Sequence, residues 1–235
     1  LITYNAHRIN KGELPSFEAP LTKKDYEFIK EDNPEFLGDH LKRIFQIKLK
    51  RYGIPFENCI VLSPMNRGNA GTQQINHCLQ SIINPNAEKQ VMRMGIAFKV
   101  GDRVMQIKNN YDKNVFNGDI GTIEEIIEED KILKVRYTDF VVPYEFFELD
   151  ELVLAYAISI HKSQGSEFDA VIIPIFMQHF MLLQRNLLYT GLTRAKKLCI
   201  IVGQFKAVAM AVKNNKSIKR NTFLKEYLTT DLACR

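Results

Sequence analysis

A polar segment at residues 161–169, with the sequence HKSQGSEFD, lies between two apolar runs of strand length. Glycine has no Cβ, so Gly165 permits a ligand to approach the backbone closely. Gln164 and Glu167 add side chains that make directed hydrogen bonds. A lone His or Lys in such a place is usually a solvated loop residue, but this combination of groups predicts a ligand-binding loop.

A second candidate is Arg194, in the segment YTGLTRAKK at residues 189–197 that precedes the apolar run LCIIVG. The planar guanidinium group carries a fork of donors that matches the oxygens of a phosphate. Two interpretations are open from the residues alone. Arg194 is either a cation aimed at a phosphate or a surface cation that favours a helix C-terminus.

The third candidate is the loop SPMNRGNAGT at residues 63–72, between an apolar run and an amphipathic segment. Its small residues allow a ligand to approach closely, and Thr72 is predicted to cap the following helix. No lysine follows the second glycine, and the P-loop pattern GxxxxGK[ST] occurs nowhere in the chain. An ordinary βα loop is the alternative, so this segment is a binding candidate and not a phosphate-binding P-loop.

No other catalytic or metal-binding pattern emerges from the 235 residues. The histidines are scattered singly and the cysteines form no CxxC pair, so we expect no metal site and no disulfide framework. The composition is that of a globular protein, 46% hydrophobic and 25% charged. No apolar run approaches the roughly 20 residues that span a bilayer, so we expect a cytoplasmic protein without a membrane partner.

Charge is distributed unevenly along the chain. Residues 205–235 carry seven Lys/Arg against two acidic residues, net +5, and residues 124–151 carry ten acidic residues against three basic ones, net −7. A basic region beside an acidic one suits a polyanion that binds on one side only. Two solvated faces are the alternative.

The elements that must position these segments are those of an α/β domain. Residues 35–51 and 75–83 have apolar side chains at helical spacing. The three polar segments are expected at the C-terminal ends of strands, where open α/β sheets bind ligands. Residues before 33 are predicted to form an irregular connection with one short helix. Residues 59–63 are a short apolar run of strand length, and three further runs have the composition of buried parallel strands: 152–160, 170–175 and 198–203.

The pattern changes between residues 95 and 149. Short alternating runs are divided by the turns NGDIG, EED and TDF, with a spacing near ten residues. Several strands this short predict a small antiparallel barrel. We therefore predict a discontinuous α/β domain at 1–94 and 150–235, interrupted by an inserted barrel at 95–149.

Taken together, these segments resemble the C-terminal half of superfamily 1 DNA helicases, in particular the RecD-like group. The stretch AYAISIHKSQGSEFDAVIIP is similar to motif V of that group, and LLYTGLTRAKK is similar to motif VI. VLSPMNRGNAGTQQIN resembles the loop and helix between motifs IV and V, and NAHRINKGELP resembles the segment after motif IV. FKVGDRVMQIKNNYD and FNGDIGTI resemble the SH3-like insertion of RecD-type helicases.

The resemblance covers essentially the whole chain and implies a fold and an activity. The fold is α/β, a RecA-like second motor domain of the P-loop NTPase type without its own P-loop, interrupted by a small SH3-like β-barrel. The activity is that of an ATP-driven translocase that moves 5′ to 3′ along single-stranded DNA, with ATP and Mg²⁺ held between two motor domains. By its position in motif VI, Arg194 would be the arginine finger and the catalytic residue. The resemblance assigns further ATP contacts to Gln164, Gly165, Glu167 and Thr193.

The resemblance also implies partners. The first motor domain is missing, so we expect the C-terminal portion of a longer helicase that is inactive alone and works with its N-terminal motor domain. Other subunits join if the parent is the alpha subunit of exodeoxyribonuclease V, in DNA repair and recombination. Two alternatives stay open, a single-stranded nucleic-acid-binding module without catalysis and the motor half of a conjugative relaxase-helicase. Sequence-independent contacts to single-stranded DNA are assigned to Pro64, Asn66, Arg67, Thr72, Ser159, His161 and Lys162.

Overall fold

A parallel sheet forms the centre of the α/β domain. The computed structural model describes residues 1–17 and 25–215, and its elements are numbered in chain order. Within these residues the sheet contains β1 (Tyr26–Lys30), β2 (Cys59–Ser63), β10 (Ala157–Ser159), β11 (Phe168–Ile175) and β12 (Ala195–Gly203). Their order is β1-β12-β11-β2-β10, and all pairs are parallel. The central strands are near-continuous apolar runs because both of their faces are buried.

Helices cover both faces of this sheet. One face carries α1 (Ile2–Lys11), α5 (Arg185–Leu192) and α6 (Phe205–Lys213). The other carries α4 (Thr72–Ile83) and a helical rod made of α2 (Leu37–Arg43), a π-helical turn (Ile44–Lys48) and α3 (Leu49–Arg51). The helical spacing at 35–51 and 75–83 is therefore confirmed, and each helix buries one apolar stripe against the strands.

A second, antiparallel sheet forms the small barrel. It contains β5 (Arg103–Gln106), β6 (Ile120–Ile127), β7 (Ile132–Arg136), β8 (Val141–Glu145) and β9 (Leu152–Leu154), in the order β8-β7-β6-β5-β9. A hairpin of β3 (Gln90–Arg93) and β4 (Ile96–Lys99) lies beside it. Phe98 of the hairpin is buried in the barrel core with Val104 and Tyr144. The predicted α/β fold with an inserted β-barrel is confirmed.

Two predictions about strands are wrong. Residues before 33 contain, besides α1, the edge strand β1, whose sequence YEFIK has no apolar alternation and buries only Tyr26. The run 152–160 is not one strand, because β9 pairs with β5 of the barrel and β10 pairs with β2 of the parallel sheet. A run that enters two cores is apolar throughout, so its composition hides the division.

Three other expectations concern membrane-spanning segments, the basic C-terminal region and the domain boundaries. Within residues 1–17 and 25–215, no helix has both the length and the apolar character needed to cross a bilayer. Residues 216–235 of the basic region lie outside the described residues. The domain boundaries, 1–94 with 150–235 and 95–149, stay a prediction.

Candidate functional site

The segment 160–167 runs from one end of the strands to the other. It begins after Ser159, which is paired with Ser63 at the C-terminal ends of β10 and β2. It ends before Phe168, which is paired with Ala195 at the N-terminal ends of β11 and β12. The candidate residues divide accordingly: Ser159, His161 and Lys162 lie towards the C-terminal ends, and Gln164, Gly165 and Glu167 lie towards the N-terminal ends.

Arg194 also lies at the N-terminal ends of the strands, so the expectation that all three polar segments follow strand C-termini is wrong. α5 ends at Leu192, and Arg194 directly precedes β12. The Arg194 carbonyl accepts a hydrogen bond from Phe168 N at 2.9 Å. Because β11 and β12 are parallel neighbours, the residue before β12 meets the residues before β11. The topology therefore brings Arg194 to the second half of the 160–167 segment.

Backbone and hydroxyl oxygens fix the Arg194 guanidinium. Nη1 donates to Ser166 O at 3.1 Å, and Nε donates to Thr190 O at 3.3 Å. Nη2 donates to Thr193 Oγ1 at 3.2 Å, while the Thr193 hydroxyl itself donates to Thr190 O at 3.0 Å. Three of the five guanidinium N–H groups thus have partners among the described residues, and the side chain is held in one orientation.

The surroundings of Arg194 leave its charge available. Among the described residues no carboxylate forms an ion pair with Arg194; Glu167 pairs instead with Lys196 at 3.2 Å. That pair is exposed on both sides, so it is weak. Gly165 has a φ of 87°, and apart from its chain neighbours no heavy atom of the described residues lies within 4 Å of the position that a Cβ would take. A positive charge beside open backbone suits an anionic ligand such as the phosphate chain of a nucleotide.

The loop at residues 63–72 folds back on the start of α4. Thr72 N donates to Met65 O at 3.0 Å, so the first backbone N–H of α4 is paired with a carbonyl oxygen of the loop. The Thr72 hydroxyl donates to Asn66 Oδ1 at 3.2 Å. The prediction that Thr72 caps the helix is wrong, because Gly71 is the N-cap residue and Thr72 is the first residue of α4. Thr72 instead stabilises the loop.

His179 supports this loop, a role that the sequence did not reveal because a single histidine gives no signal. Its side chain is 1% exposed, and Nδ1 accepts a hydrogen bond from Phe176 N at 3.2 Å. A hydrogen bond with the backbone of Ala70 ties the ring to the 63–72 loop. Burial lowers the pKa of His179 to about 4, against the smaller opposite effect of that hydrogen bond. The His179 imidazole that supports the loop is therefore neutral at a pH near 7.

Acidification is expected to destabilise the folded protein through His179. Its folded-state pKa of about 4 lies below the ordinary value of 6.5, so the unfolded chain takes up the proton first as the pH falls. The stabilisation is complete above a pH of about 6.5, and about 2.5 kcal/mol of it is lost by a pH of about 4.5. Urea unfolding over this range should show a steeper pH dependence for the wild type than for His179→Gln. Equal slopes would contradict this role of His179.

One cavity of about 750 Å³, called the groove below, separates the α/β domain from the barrel. Its walls come from α4, the β3–β4 hairpin and strands β5, β9 and β10. Pro64 is buried, and Arg67 and His161 are exposed outside the groove lining. The structure thus brings together four of the seven predicted DNA contacts: Asn66, Thr72, Ser159 and Lys162.

A buried polar network holds the barrel against α4. Asp102 is fully buried and accepts hydrogen bonds from Gln80 Nε2 at 2.5 Å and from Asn84 Nδ2 at 2.9 Å. It also accepts from Lys99 N at 2.8 Å and from Tyr156 OH at 2.9 Å. Burial, followed by the nearby Asp102 charge, raises the pKa of Tyr156, so its hydroxyl stays a donor. The network therefore joins α4 and its C-cap to the start of the barrel.

The spacing of three polar residues in the sequence could have predicted this network. Asn76, Gln80 and Asn84 recur every four residues, which places the first two on one stripe of α4 and the third at its C-cap. Asn76 Nδ2 donates to Leu154 O at 2.9 Å and to Ala157 O at 2.8 Å, at the junction of β9 and β10. Its Oδ1 accepts from Ala157 N at 2.7 Å. Polar residues at helical spacing beside an apolar stripe therefore marked the contact between the two domains.

Comparison with known proteins gives two family matches. The ATP-dependent RecD-like DNA helicase SH3 domain matches residues 75–137, and the UvrD-like helicase C-terminal domain matches residues 154–202. The ATP-dependent RecD2 DNA helicase of Deinococcus radiodurans is 36% identical over 166 residues, 71% of this chain and 23% of that protein. The RecBCD enzyme subunit RecD of Buchnera aphidicola subsp. Acyrthosiphon pisum is 36% identical over 154 residues, 62% of this chain and 25% of that protein. The chain spans about a quarter of the length of these relatives.

Solved structures of Pif1 helicases are similar in fold. A structure of two coordinating Pif1 helicases, described for DNA unwinding at forked dsDNA, has a TM-score of 0.55 at 19% identity and covers 97% of this chain and 52% of that chain. Pif1 helicase from Bacteroides in complex with ADP-AlF3 and ssDNA has a TM-score of 0.54 at 18% identity, and covers 100% of this chain and 54% of that chain. At these identities the likeness extends to the fold alone.

Proposed function

Because the chain is the C-terminal region of a RecD-like helicase, we propose that it works as the second motor lobe of an ATP-dependent 5′-to-3′ DNA helicase. Arg194 carries the proposal: its guanidinium is fixed 3.1 Å from Ser166 O, has no carboxylate partner among the described residues, and lies beside the open backbone of Gly165. An N-terminal motor domain would supply the other half of the ATP site. The lobe alone is then expected to be inactive.

The residues at the N-terminal ends of β11 and β12 fit a nucleotide. ATP with Mg²⁺, when bound between the two lobes, supplies the phosphoryl group whose transfer drives movement. Arg194 would use its remaining N–H groups to stabilise the charge that develops on that group, an effect worth about 10³–10⁵ in rate. Thr193 would hold the guanidinium in place, and Gly165 would approach the phosphate through its backbone. Gln164 would respond to the nucleotide state, and Glu167 would accept a ribose hydroxyl after releasing its weak, exposed ion pair.

Single-stranded DNA would lie at the C-terminal ends of β2 and β10. Hydroxyl, amide and cationic groups donate hydrogen bonds to phosphate oxygens without reading the bases, so such contacts are independent of sequence and weaken with salt. Arg67 and His161 would bind phosphates outside the groove, and Pro64 would fix the loop that carries Arg67. Four residues would bind phosphates inside the groove: Asn66, Thr72, Ser159 and Lys162.

Fluorescence anisotropy of a labelled single strand tests this track with the 235-residue chain. The wild-type affinity is expected to fall between about 50 and 200 mM salt. The double variant Arg67→Ala/Lys162→Ala should reduce the slope of log affinity against log salt by about 1.4, because each lost phosphate contact removes about 0.7. Lys42→Ala, at an exposed lysine of α2 outside the groove, is the matched control. Binding that ignores salt, or an unchanged slope in the double variant, would contradict the track.

The relatives suggest a setting for this activity. One is named as a RecD2 DNA helicase and another as the RecD subunit of RecBCD. We therefore propose a cytoplasmic role in DNA repair or recombination, with further nuclease subunits as partners in a RecD-type assembly. A single-stranded DNA-binding module without catalysis is the second candidate, favoured by the groove. That module, unlike a motor lobe, has no use for Arg194.

A further inference from the structure

The two long walls of the groove differ in chemistry. One wall, formed by the start of α4 and the end of β10, presents the amide of Asn66, two hydroxyls and the ammonium group of Lys162. The wall formed by the β3–β4 hairpin presents Met92 and Met94, which are 61% and 79% exposed, beside the polar side chains of Gln90 and Lys99. A groove lined by both exposed apolar side chains and hydrogen-bonding groups suits a ligand that has both kinds of surface.

The charged residues that line the groove indicate which class of ligand it binds. None of the described residues that line it is Asp or Glu, and the lining includes Lys99 and Lys162. The barrel that forms part of its wall is otherwise acidic, with net −7 over residues 124–151. A cavity free of acidic side chains within an acidic domain is complementary to a polyanion. Nucleic acid is the polyanion that also carries apolar ring faces.

The hairpin tip is built at a conformational cost. Met94 and Gly95 form the two-residue turn between β3 and β4, with φ of 49° and 79°. Turns with positive φ at both positions favour Asn, Asp or Gly, and a long apolar side chain is uncommon at the first. Strained backbone that keeps an exposed side chain in place is typical of ligand contacts. Met94 is therefore unexplained by folding alone.

We propose that Met92 and Met94 contact the bases of a single nucleic-acid strand whose phosphates lie on the Asn66 and Lys162 wall. The inference rests on the proposed function, since it concerns the same strand. Thioether groups are polarizable and pack against aromatic rings without directional hydrogen bonds. The contact would therefore tolerate any base, as a translocase requires, and would add affinity that salt does not remove.

The test compares a single strand with an abasic strand of equal length and phosphate number. The wild-type chain should bind the base-bearing strand about tenfold more tightly than the abasic strand. Met92→Ala/Met94→Ala should lose this preference, while its affinity for the abasic strand and its salt slope stay unchanged. Both methionines are exposed, so the variant should fold, and its melting temperature checks this. Met210→Ala on α6 is the matched methionine control.

The outcomes separate the two proposals. A wild-type chain that binds both strands equally, or a double variant that keeps the full preference for bases, overturns the base contact and leaves the track intact. A wild-type chain that binds neither strand overturns the track and the base contact together. Equal losses for both strands in the double variant would place phosphates, not bases, at the hairpin and would also overturn the inference.

Discussion

Replacing Arg194 by alanine is expected to reduce the kcat for ATP hydrolysis of the full-length helicase by about 10³-fold or more. The guanidinium is fixed by oxygens of Ser166, Thr190 and Thr193 and carries no ion pair among the described residues. An alanine leaves the developing charge on the phosphoryl group without this partner. Because an arginine finger would act mainly in the transition state, the Kd for nucleotide should change only a few-fold.

Lys197→Ala provides the control for this prediction. Lys197 lies three residues from Arg194, is exposed, and forms a surface ion pair with Asp169 at 2.9 Å. Surface pairs of this kind contribute little, so turnover should stay within about twofold of the wild type. Steady-state hydrolysis and nucleotide titration of both variants give the comparison. Near-normal turnover in Arg194→Ala would remove Arg194 from the finger role.

Asp102→Ala is expected to lower the free energy of unfolding by about 4 kcal/mol or more, the largest stability effect that we predict. The substitution removes the acceptor of four hydrogen bonds in a fully buried site. Each buried donor left without a partner costs about 1–3 kcal/mol. The donors belong to both domains, so the loss should also loosen the barrel against α4. They are Gln80, Asn84, Lys99 and Tyr156.

Urea unfolding measures this loss against a matched aspartate. Asp139→Ala removes an exposed carboxylate from the barrel and should change the free energy of unfolding by less than about 0.5 kcal/mol. Asp102→Asn keeps the shape but places an amide N–H₂ against existing donors, so it should be intermediate. A loss below about 1 kcal/mol in Asp102→Ala would mean that the network does not hold the two domains together.

Strands buried on both faces were readable from composition. The runs that became β2, β11 and β12 are apolar without alternation; the structure confirms β2 as a strand and β11 and β12 as parallel strands. The edge strand β1 escaped notice because only Tyr26 of its five residues is buried. The division of 152–160 into β9 and β10 escaped because each half enters a different core. Composition reports burial, and it does not report which core a strand joins.

The candidate site was partly predictable for the same reason. Residue types and motif order made Arg194 and the 161–169 segment candidates, and the resemblance to RecD-like helicases is confirmed by the family matches. Arg194 lies beside Ser166 and away from Lys162 because of the order of the strands in the sheet, which cannot be read from the sequence. His179 and Asp102 act through buried contacts with distant segments, so pattern alone could not assign them.

Single-stranded-DNA-stimulated ATP hydrolysis, measured side by side for this chain and for the full-length protein, distinguishes a lobe with half of an ATP site from a complete motor. The proposed second motor lobe would supply Arg194 and the DNA track but only half of the ATP site. We therefore expect no turnover from the chain alone and DNA-stimulated turnover from the full-length protein. Turnover by the chain alone would reveal a complete nucleotide site within it and would rule out the half-site lobe, as would a full-length protein that binds DNA but never hydrolyses ATP.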